Sequence, residues 1–143
     1  MISEIKRPTD VANDLRPVLV KLNRELRREI HSLGVTGAQV SLLALIRREP
    51  GIGVRGLAAR ERMSAPGMSK SVARLLAAGL VARTELPDRR RFGLVLTEAG
   101  DRVLRSVRSR RTAWLAERLR GLSDNELTAI DAAVEPLGRL IGE

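Results

Sequence analysis

The segment 54–81, VRGLAARERMSAPGMSKSVARLLAAGLV, restricts the fold more than any other part of this 143-residue chain. Its first half, up to about Arg62, is typical of a short helix that buries Leu57 and Ala58. Ser64 then offers a side-chain oxygen of the kind that caps the start of a second helix. The segment therefore predicts two short helices that are joined by a tight turn.

The second of these helices is predicted to have two contrasting faces. Apolar side chains recur at the spacing of an inward helix face, at Met68, Val72, Leu75 and Leu76. The outward face carries small, polar and basic residues, namely Pro66, Ser69, Lys70, Ala73 and Arg74. Proline is tolerated in a first helical turn, and Gly79 supplies a stop. This arrangement is the pattern of a helix-turn-helix unit.

Two short strands around a basic tip are predicted after this unit. LVARTEL and LVLT have the composition of strands, and LPDRRRFG between them contains turn residues. Three consecutive arginines, Arg89, Arg90 and Arg91, directly follow Asp88 at this tip. A solubilising turn needs only one such charge. The triplet therefore favours a tip that faces a polyanion, with an exposed solubilising tip as the alternative.

Long amphipathic helices flank this central part. The first is predicted from about residue 10 to 33 with Pro17 inside it, and TGAQ at 36–39 has the form of a capping box that opens the next. Thr97 caps another long helix, and SDNE at 123–126 forms a second capping box. Apolar positions of the first and last helices include Leu15, Leu19, Leu22, Leu127, Ile130, Val134, Leu137 and Ile141. Either the first and last helices pack their apolar faces on each other within one chain, or they pack against a second copy of the chain. A short central unit between long helices favours the dimer.

The core has to be aliphatic, because Phe92 and Trp114 are the only aromatic residues. Leucine and alanine are strong helix formers, whereas sheets usually draw on aromatic residues, so a mainly helical fold is favoured. The absence of cysteine excludes disulfides, thiolate metal sites and thiol-based sensing. No cofactor or metal is expected, and no apolar run reaches the roughly 18 residues of a membrane span. The missing cysteine leaves the compartment open, but the N-terminal MISEIKRPTD has no apolar core of signal-peptide length, and together with the lack of a membrane span this predicts a cytoplasmic protein.

Positive charge is concentrated in the middle of the chain. Eleven basic and four acidic residues lie between Arg47 and Arg91, a net charge of +7 out of +9 for the whole chain. A GC-rich codon bias accounts for arginine in place of lysine, but it does not account for this clustering. The segregation predicts a face that binds a polyanion.

The order and spacing of these pieces resemble the MarR family of winged helix-turn-helix transcriptional regulators. The matching pieces are VTGAQVSLLALI at 35–46, Leu57-Ala58, RLLAAGLVAR at 74–83, Asp88-Arg89-Arg90 and LVLTEAG at 94–100. The resemblance implies a mainly α, α+β winged-helix fold with a two-stranded wing. It also implies one intertwined domain with an N-terminal dimerisation helix at 1–35, a winged helix-turn-helix at 36–100 and C-terminal dimerisation helices at 101–143.

The resemblance assigns the second helix of the helix-turn-helix to the major groove of double-stranded DNA. The residues expected there are Ser64, Pro66, Gly67, Ser69, Lys70 and Arg74. Lys70 and Arg74 lie four residues apart, so they share one helix face and are able to reach guanine edges or phosphates. The alternative for this pair is a solvated basic face.

The wing is expected to reach the adjacent minor groove through Arg89, Arg90 or Arg91. By resemblance, Asp88 and Arg90 form the ion pair that holds the loop. Arg55, near the start of the preceding helix, is placed for a phosphate contact, with a solvated surface charge as the alternative.

In this family a small-molecule effector binds between the dimerisation helices and the winged helix. His31 and Trp114 are the two residues expected at such a site. His31 has a simpler role available, because a cationic imidazole near the end of a helix suits the helix dipole. The missing cysteine rules out the thiol-based, peroxide-sensing branch of the family.

The favoured function is a homodimeric, sequence-specific repressor that binds a palindromic operator and responds to an effector. A non-specific architectural DNA-binding protein is the alternative, supported by the charge alone. An enzyme is not expected, because the chain has one histidine and no carboxylates at metal-ligand spacing.

Overall fold

The computed structural model describes residues 5–88 and 90–142, which contain six α-helices and one two-stranded hairpin. The helices are Pro8–Arg28 (α1), Gly37–Arg48 (α2), Val54–Glu61 (α3), Ala65–Ala77 (α4), Glu98–Arg120 (α5) and Asp124–Arg139 (α6). The strands are Val81–Glu85 (β1) and Phe92–Leu96 (β2), and a 3-10 helix covers His31–Leu33. The architecture is a mainly helical winged helix, as the sequence predicts.

Side-chain caps define where α2 and α6 begin. The Thr36 hydroxyl accepts the Gln39 backbone N–H at 3.1 Å, and the Gln39 side chain accepts the Thr36 N–H at 3.0 Å. Ser123 and Glu126 make the same reciprocal pair at the start of α6, at 3.2 and 3.0 Å. Both predicted capping boxes are therefore confirmed. Such caps satisfy backbone donors that the first turn of a helix leaves without partners.

The first helix is shorter than the sequence predicts. It begins at Pro8 and continues through Pro17, but it ends at Arg28 instead of residue 33. The remainder contains the separate 3-10 helix, which Gly34 ends with a φ of 74°. This left-handed conformation is favourable for glycine and closes a helical segment, which the apolar periodicity alone does not reveal.

A single aliphatic core lies between Ile30 and Val107. Its most deeply buried side chains are Ile30, Leu43, Ile46, Leu57, Met68, Val72, Leu75 and Leu94. Phe92 and Trp114 are only half-buried, so the prediction of an aliphatic core is confirmed. Methionine and branched aliphatic side chains fill the space between α2, α3, α4 and the hairpin.

The middle of strand β2 is attached to the connection between α2 and α3. Strands β1 and β2 pair antiparallel, in a register that runs from Val81 opposite Leu96 to Glu85 opposite Phe92. The Gly51 N–H donates to the Leu94 carbonyl at 2.8 Å, and the Leu94 N–H donates to the Ile52 carbonyl at 2.9 Å. A Cβ atom at Gly93 would collide with the Gly51 carbonyl. The close backbone approach therefore requires glycine at position 93, and it holds β2 against the connection between α2 and α3.

The terminal helices, α1 and α6, contain no buried residue. Their exposed large apolar side chains are Val11, Val18, Leu19, Val20, Leu22, Leu127, Ile130, Val134 and Leu137. Within one chain the two apolar stripes therefore do not bury each other. Among the described residues no single helix is long and apolar enough to cross a membrane, although the bent pair Pro8–Leu33 and Gly37–Arg48 meets the criteria of length and composition.

Candidate nucleic-acid interface

Packing fixes which face of α4 points outward. Met68 and Leu75 are inaccessible to solvent, and Val72 is 2% exposed, so this stripe anchors the helix on the core. The opposite face is exposed and carries Pro66, Ser69, Lys70, Ala73 and Arg74. The outward set is the one that the sequence predicts.

The start of α4 combines a cap with a small residue. The Ser64 hydroxyl accepts the Gly67 backbone N–H at 3.2 Å, so this side chain acts as the N-cap. A Cβ atom at Gly67 would lie 3.0 Å from the Ser64 oxygen, closer than side chains normally approach. Glycine at this position therefore preserves the cap and adds no side chain to the surface of the first turn.

Lys70 and Arg74 are exposed on the outward face of α4. Neither side chain forms an ion pair within the part of the chain that the structure describes. Because an unpaired surface cation keeps its full charge for a ligand, both are available to an anionic partner.

A turn at the wing tip is organised by Asp88. One carboxylate oxygen accepts the backbone N–H of Arg90 at 3.1 Å, and the other lies 3.8 Å from Nε of Arg91. The backbone N–H of Arg91 also donates to the Asp88 carbonyl at 3.0 Å. The expected ion pair between Asp88 and Arg90 is therefore wrong in its partner. Asp88 accepts a hydrogen bond from the Arg90 backbone, and the guanidinium beside its carboxylate is that of Arg91. Arg89 lies outside the described residues.

Arg83 is an additional cation on the wing that the sequence analysis did not single out. Its guanidinium lies over the ring of Phe92 on the paired strand, 4.4 Å from the ring centroid. This is a cation–π contact, which holds the arginine in place without neutralising it. The signal in the sequence was weak, since nothing in the pattern identifies which residue of β1 faces the only phenylalanine.

The first turn of α3, the outward face of α4 and the wing tip surround one open groove of about 690 Å³. Its lining includes Gly53, Arg55, Ser69, Asp88, Arg90 and Arg91. The α3 helix has no side-chain cap at Gly53, so its first N–H groups add to the positive potential of the arginines. The fold thus brings cations from α3 and the wing together with the uncharged Ser69 of α4 around a single concave surface.

Comparison with known proteins agrees with this geometry. Residues 33–91 match the model of the MarR family. An HTH-type transcriptional regulator of Mycobacterium tuberculosis is 32% identical over 134 residues, which are 93% of this chain and 94% of that relative. The chain belongs to the MarR family of helix-turn-helix transcriptional regulators.

The likeness to other MarR-type regulators extends beyond the central segment. The HTH-type transcriptional repressor MdtR of Bacillus subtilis is 29% identical over 120 residues, 83% of this chain and 77% of the repressor. A crystal structure of a transcriptional regulator from Pseudomonas aeruginosa aligns with a TM-score of 0.84 at 28% identity, over 98% of this chain and 99% of that one. The MarR architecture therefore includes the terminal helices.

MarR family regulators bind DNA and are not enzymes. Among residues 5–88 and 90–142, no group of three or more histidine, aspartate or glutamate side chains is placed to hold a metal ion.

The structure does not bring His31 and Trp114 into one described pocket. Trp114 is half-buried and lines an open cleft of about 910 Å³ with Glu29, Arg110, Glu117 and Arg118, among others. The Arg118 guanidinium lies 5.1 Å from the centroid of the Trp114 ring. His31 is exposed in the 3-10 helix and is not among the residues that line this cleft.

In this MarR protein two arginines of α5 contact the end of α1 and the 3-10 helix that follows it. Arg110 donates to the Ser32 hydroxyl at 2.6 Å, and Nε of Arg111 donates to the Leu26 carbonyl at 3.4 Å. Burial, followed by repulsion from Arg27, lowers the pKa of Arg111 from its ordinary value. The described contacts show partial burial with uncharged oxygen acceptors.

Proposed function

We propose that this protein is a homodimeric, sequence-specific DNA-binding repressor that binds a palindromic operator in the cytoplasm and responds to a small-molecule effector. The observation that carries the proposal is the cationic groove between α3, α4 and the wing. Arg55, Ser69, Arg90 and Arg91 come from three segments and meet there. The repressor activity of the related MdtR is consistent with this function.

The groove and the exposed face of α4 beside it provide for two kinds of contact with DNA. The outward face of α4 has the width of a single helix, which the major groove admits, and its Lys70 and Arg74 are suited to guanine O6 and N7. The wing tip presents Arg90 and Arg91 beside that helix, where arginine is favoured in a narrow minor groove. Arg55 and the start of α3 are suited to a backbone phosphate. We propose the predicted recognition-helix and wing residues, Arg89 included, as the DNA-binding set.

Exposed apolar surface supports the homodimer. Leu127, Ile130 and Val134 on α6 are 43%, 44% and 62% exposed, although they recur at the spacing of a helix–helix seam. Leu19 and Leu22 on α1 are also exposed. Soluble proteins rarely leave such extended apolar faces open to water. A second copy that covers α1 and α6 would present two winged-helix units at the spacing of about 34 to 36 Å that two half-sites require.

The cleft at Trp114 supports effector binding. It is adjacent to the Arg110–Ser32 contact, which joins α5 to the connection before the winged-helix unit. A ligand in this cleft would change the position of the winged-helix unit relative to α5, and thereby the distance between the two units of a dimer. Its affinity for the two arrangements has to differ for DNA binding to respond.

The test begins with an operator selected from random duplex DNA and measures its affinity by fluorescence anisotropy at several salt concentrations. A palindrome should emerge, with log K falling by about 0.9 for every phosphate that the protein neutralises. Equal affinity for this operator and for random duplexes at physiological salt would contradict the proposal and would favour a non-specific architectural protein.

Substitution of Lys70 by alanine tests base recognition. The loss should be about 1 to 3 kcal/mol on the operator, with specificity relaxed at one base pair, because a bidentate contact to guanine is lost. Lys21→Ala on α1 removes the same charge and is the matched control, for which we expect little change. Equal weakening of Lys70→Ala on every sequence would make Lys70 a phosphate contact, and wild-type affinity would remove it from the interface.

A further inference from the structure

The turn between α3 and α4 contains an unusual backbone conformation. Arg62 has a φ of 53° and a ψ of 45°, which is the left-handed helical region. It is the only residue other than glycine with a positive φ in the part of the chain that the structure describes. The Cβ atom of a long side chain makes this conformation unfavourable, and a helix-turn-helix turn often contains glycine.

Backbone hydrogen bonds account for this conformation without the arginine side chain. The Arg62 N–H is directed at the carbonyls of Ala58 and Ala59, and the Met63 N–H donates to the Ala58 carbonyl at 2.9 Å. This is the pattern that ends a helix with a left-handed residue, usually glycine. The fold at this position therefore needs the conformation, but it does not need arginine.

The guanidinium of Arg62 has no protein partner among the described residues. The two nearest carboxylates in the chain sequence are engaged elsewhere, Glu49 with Arg60 at 2.6 Å and Glu61 with the Ser41 hydroxyl at 3.4 Å. Arg62 itself is exposed and forms no ion pair there. An arginine that is both strained and unpaired gains nothing inside the protein that glycine would not provide.

The position of Arg62 places its charge beside the proposed DNA-binding set. Two residues separate it from Ala65, the first residue of α4, and the N-terminal part of a recognition helix is the part that enters the major groove. With α4 in the major groove of DNA, this turn would lie near the rim of that groove, where a long cationic side chain is able to reach a phosphate. Phosphate contacts of this kind set the register of a protein on DNA.

We propose that Arg62 is a DNA phosphate contact, and that arginine occupies a glycine-type position because of that contact. The inference rests on the proposed function only in requiring that the protein binds duplex DNA. It adds a residue outside the predicted recognition-helix and wing sets.

The experiment compares Arg62→Gly, Arg62→Asn and Arg62→Lys with the wild-type protein. Glycine and asparagine tolerate the left-handed conformation, so the midpoint of thermal unfolding should rise by about 2 to 6 °C for glycine and should not fall for asparagine. The same two variants should bind about tenfold more weakly to operator and random duplexes alike, since a phosphate carries no sequence information. For these two variants, log K should fall less steeply with log salt, and the magnitude of the slope should be smaller by about 0.9 for each winged-helix unit. Arg62→Lys should keep the wild-type slope.

Arg60→Asn is the matched control. Arg60 lies two residues before Arg62 and carries the same charge, but its guanidinium is already paired with Glu49. The salt slope of this variant should remain close to that of the wild type. Wild-type affinity and salt slope for Arg62→Gly and Arg62→Asn would overturn the inference. An equal change of salt slope in Arg60→Asn would overturn it too, and so would a lower midpoint of thermal unfolding in both Arg62→Gly and Arg62→Asn. A wild-type protein without preference for its operator would contradict the proposed repressor but leave this comparison of slopes intact.

Discussion

The winged-helix unit, residues 36–100, and the terminal helices α1 and α6 use their apolar residues in opposite ways. The winged-helix unit contains most of the core, including Leu43, Leu57 and Leu75 with no exposed surface. The terminal helices bury nothing, and Val134 of α6 is 62% exposed. One region is therefore packed within a single chain, whereas the other leaves its apolar surface exposed.

Local interactions in the terminal helices are present but weak. In α6 the capping box and the Arg139–Glu135 ion pair at 2.8 Å support the helix. Exposed ion pairs contribute at most about 1 kcal/mol, and isolated helices of about 15 residues are marginal in water. Most of the stability of such a helix comes from packing of its apolar face. The comparison thus predicts that core variants act on folding and seam variants act on assembly.

The largest effect on stability is expected from Leu75→Ala in the core. Removal of a completely buried leucine side chain should lower the free energy of unfolding by about 2 to 5 kcal/mol, because the cavity that remains collapses only in part. Urea denaturation measures this change. Leu140→Ala, at a position that is 71% exposed, is the matched control and should cost much less. Equal losses would show that the two regions do not differ as described.

The next effect is expected from the double substitution Ile130→Glu with Val134→Glu on α6. Both side chains are exposed in the single chain and lie outside the core, so the winged-helix unit should remain folded while charge repulsion prevents the proposed seam from forming. Sedimentation velocity should then show monomers, and circular dichroism should show that most of the helix content is retained. Operator affinity should fall by about 100-fold or more, because one winged-helix unit loses the effective concentration that a linked second unit provides.

Thr128→Glu is the control for this double substitution. Residue 128 is exposed on α6 but is not one of the seam positions. This variant should stay dimeric and should bind the operator with an affinity within a few-fold of the wild type. A dimeric double variant, or a wild-type protein that is monomeric at micromolar concentration, would contradict the assignment of the seam.

The smallest effect is expected from the cap of α6 as pH falls. Hydrogen bonds from the Ser123 backbone and then from its hydroxyl lower the pKa of Glu126 below its ordinary value of about 4.5. A carboxylate with a depressed pKa contributes stability above its unfolded-state pKa and loses it as pH falls through the folded-state pKa. The helix signal in circular dichroism should therefore decrease slightly below about pH 4.5. Glu126→Gln lacks a titrating group and should not show this step, and an identical pH profile in both proteins would contradict the prediction.

The arginine at position 62 illustrates how the winged-helix unit differs from a region selected for stability alone. Its φ of 53° is unfavourable for a side chain of this size, and glycine is compatible with the same hydrogen bonds. Local strain of this kind is found where a side chain has a task outside the fold. Within the proposed function, that task is a contact with DNA.

Much of the local structure was predictable from the sequence. The capping boxes at Thr36 and Ser123, the cap at Ser64 and the buried stripe of α4 all depend on residues within one helical turn or a few turns of each other. Interactions over such short separations are set by covalent geometry and by helix periodicity. The same rules did not predict that α1 ends at Arg28, because the periodic apolar pattern continues past the end of the helix.

The arrangement of distant residues was decided only by the tertiary structure. The sequence by itself determined the helices, the hairpin, the aliphatic core and the concentration of positive charge. It did not determine that Asp88 pairs with Arg91, that Arg55 and Ser69 share a groove with the wing, or that His31 lies outside the cleft of Trp114. These outcomes depend on how segments that are far apart in the chain pack on one core. The hydrophobic effect is non-directional, so the apolar pattern does not specify which segments meet; the close packing of the complete set of side chains does.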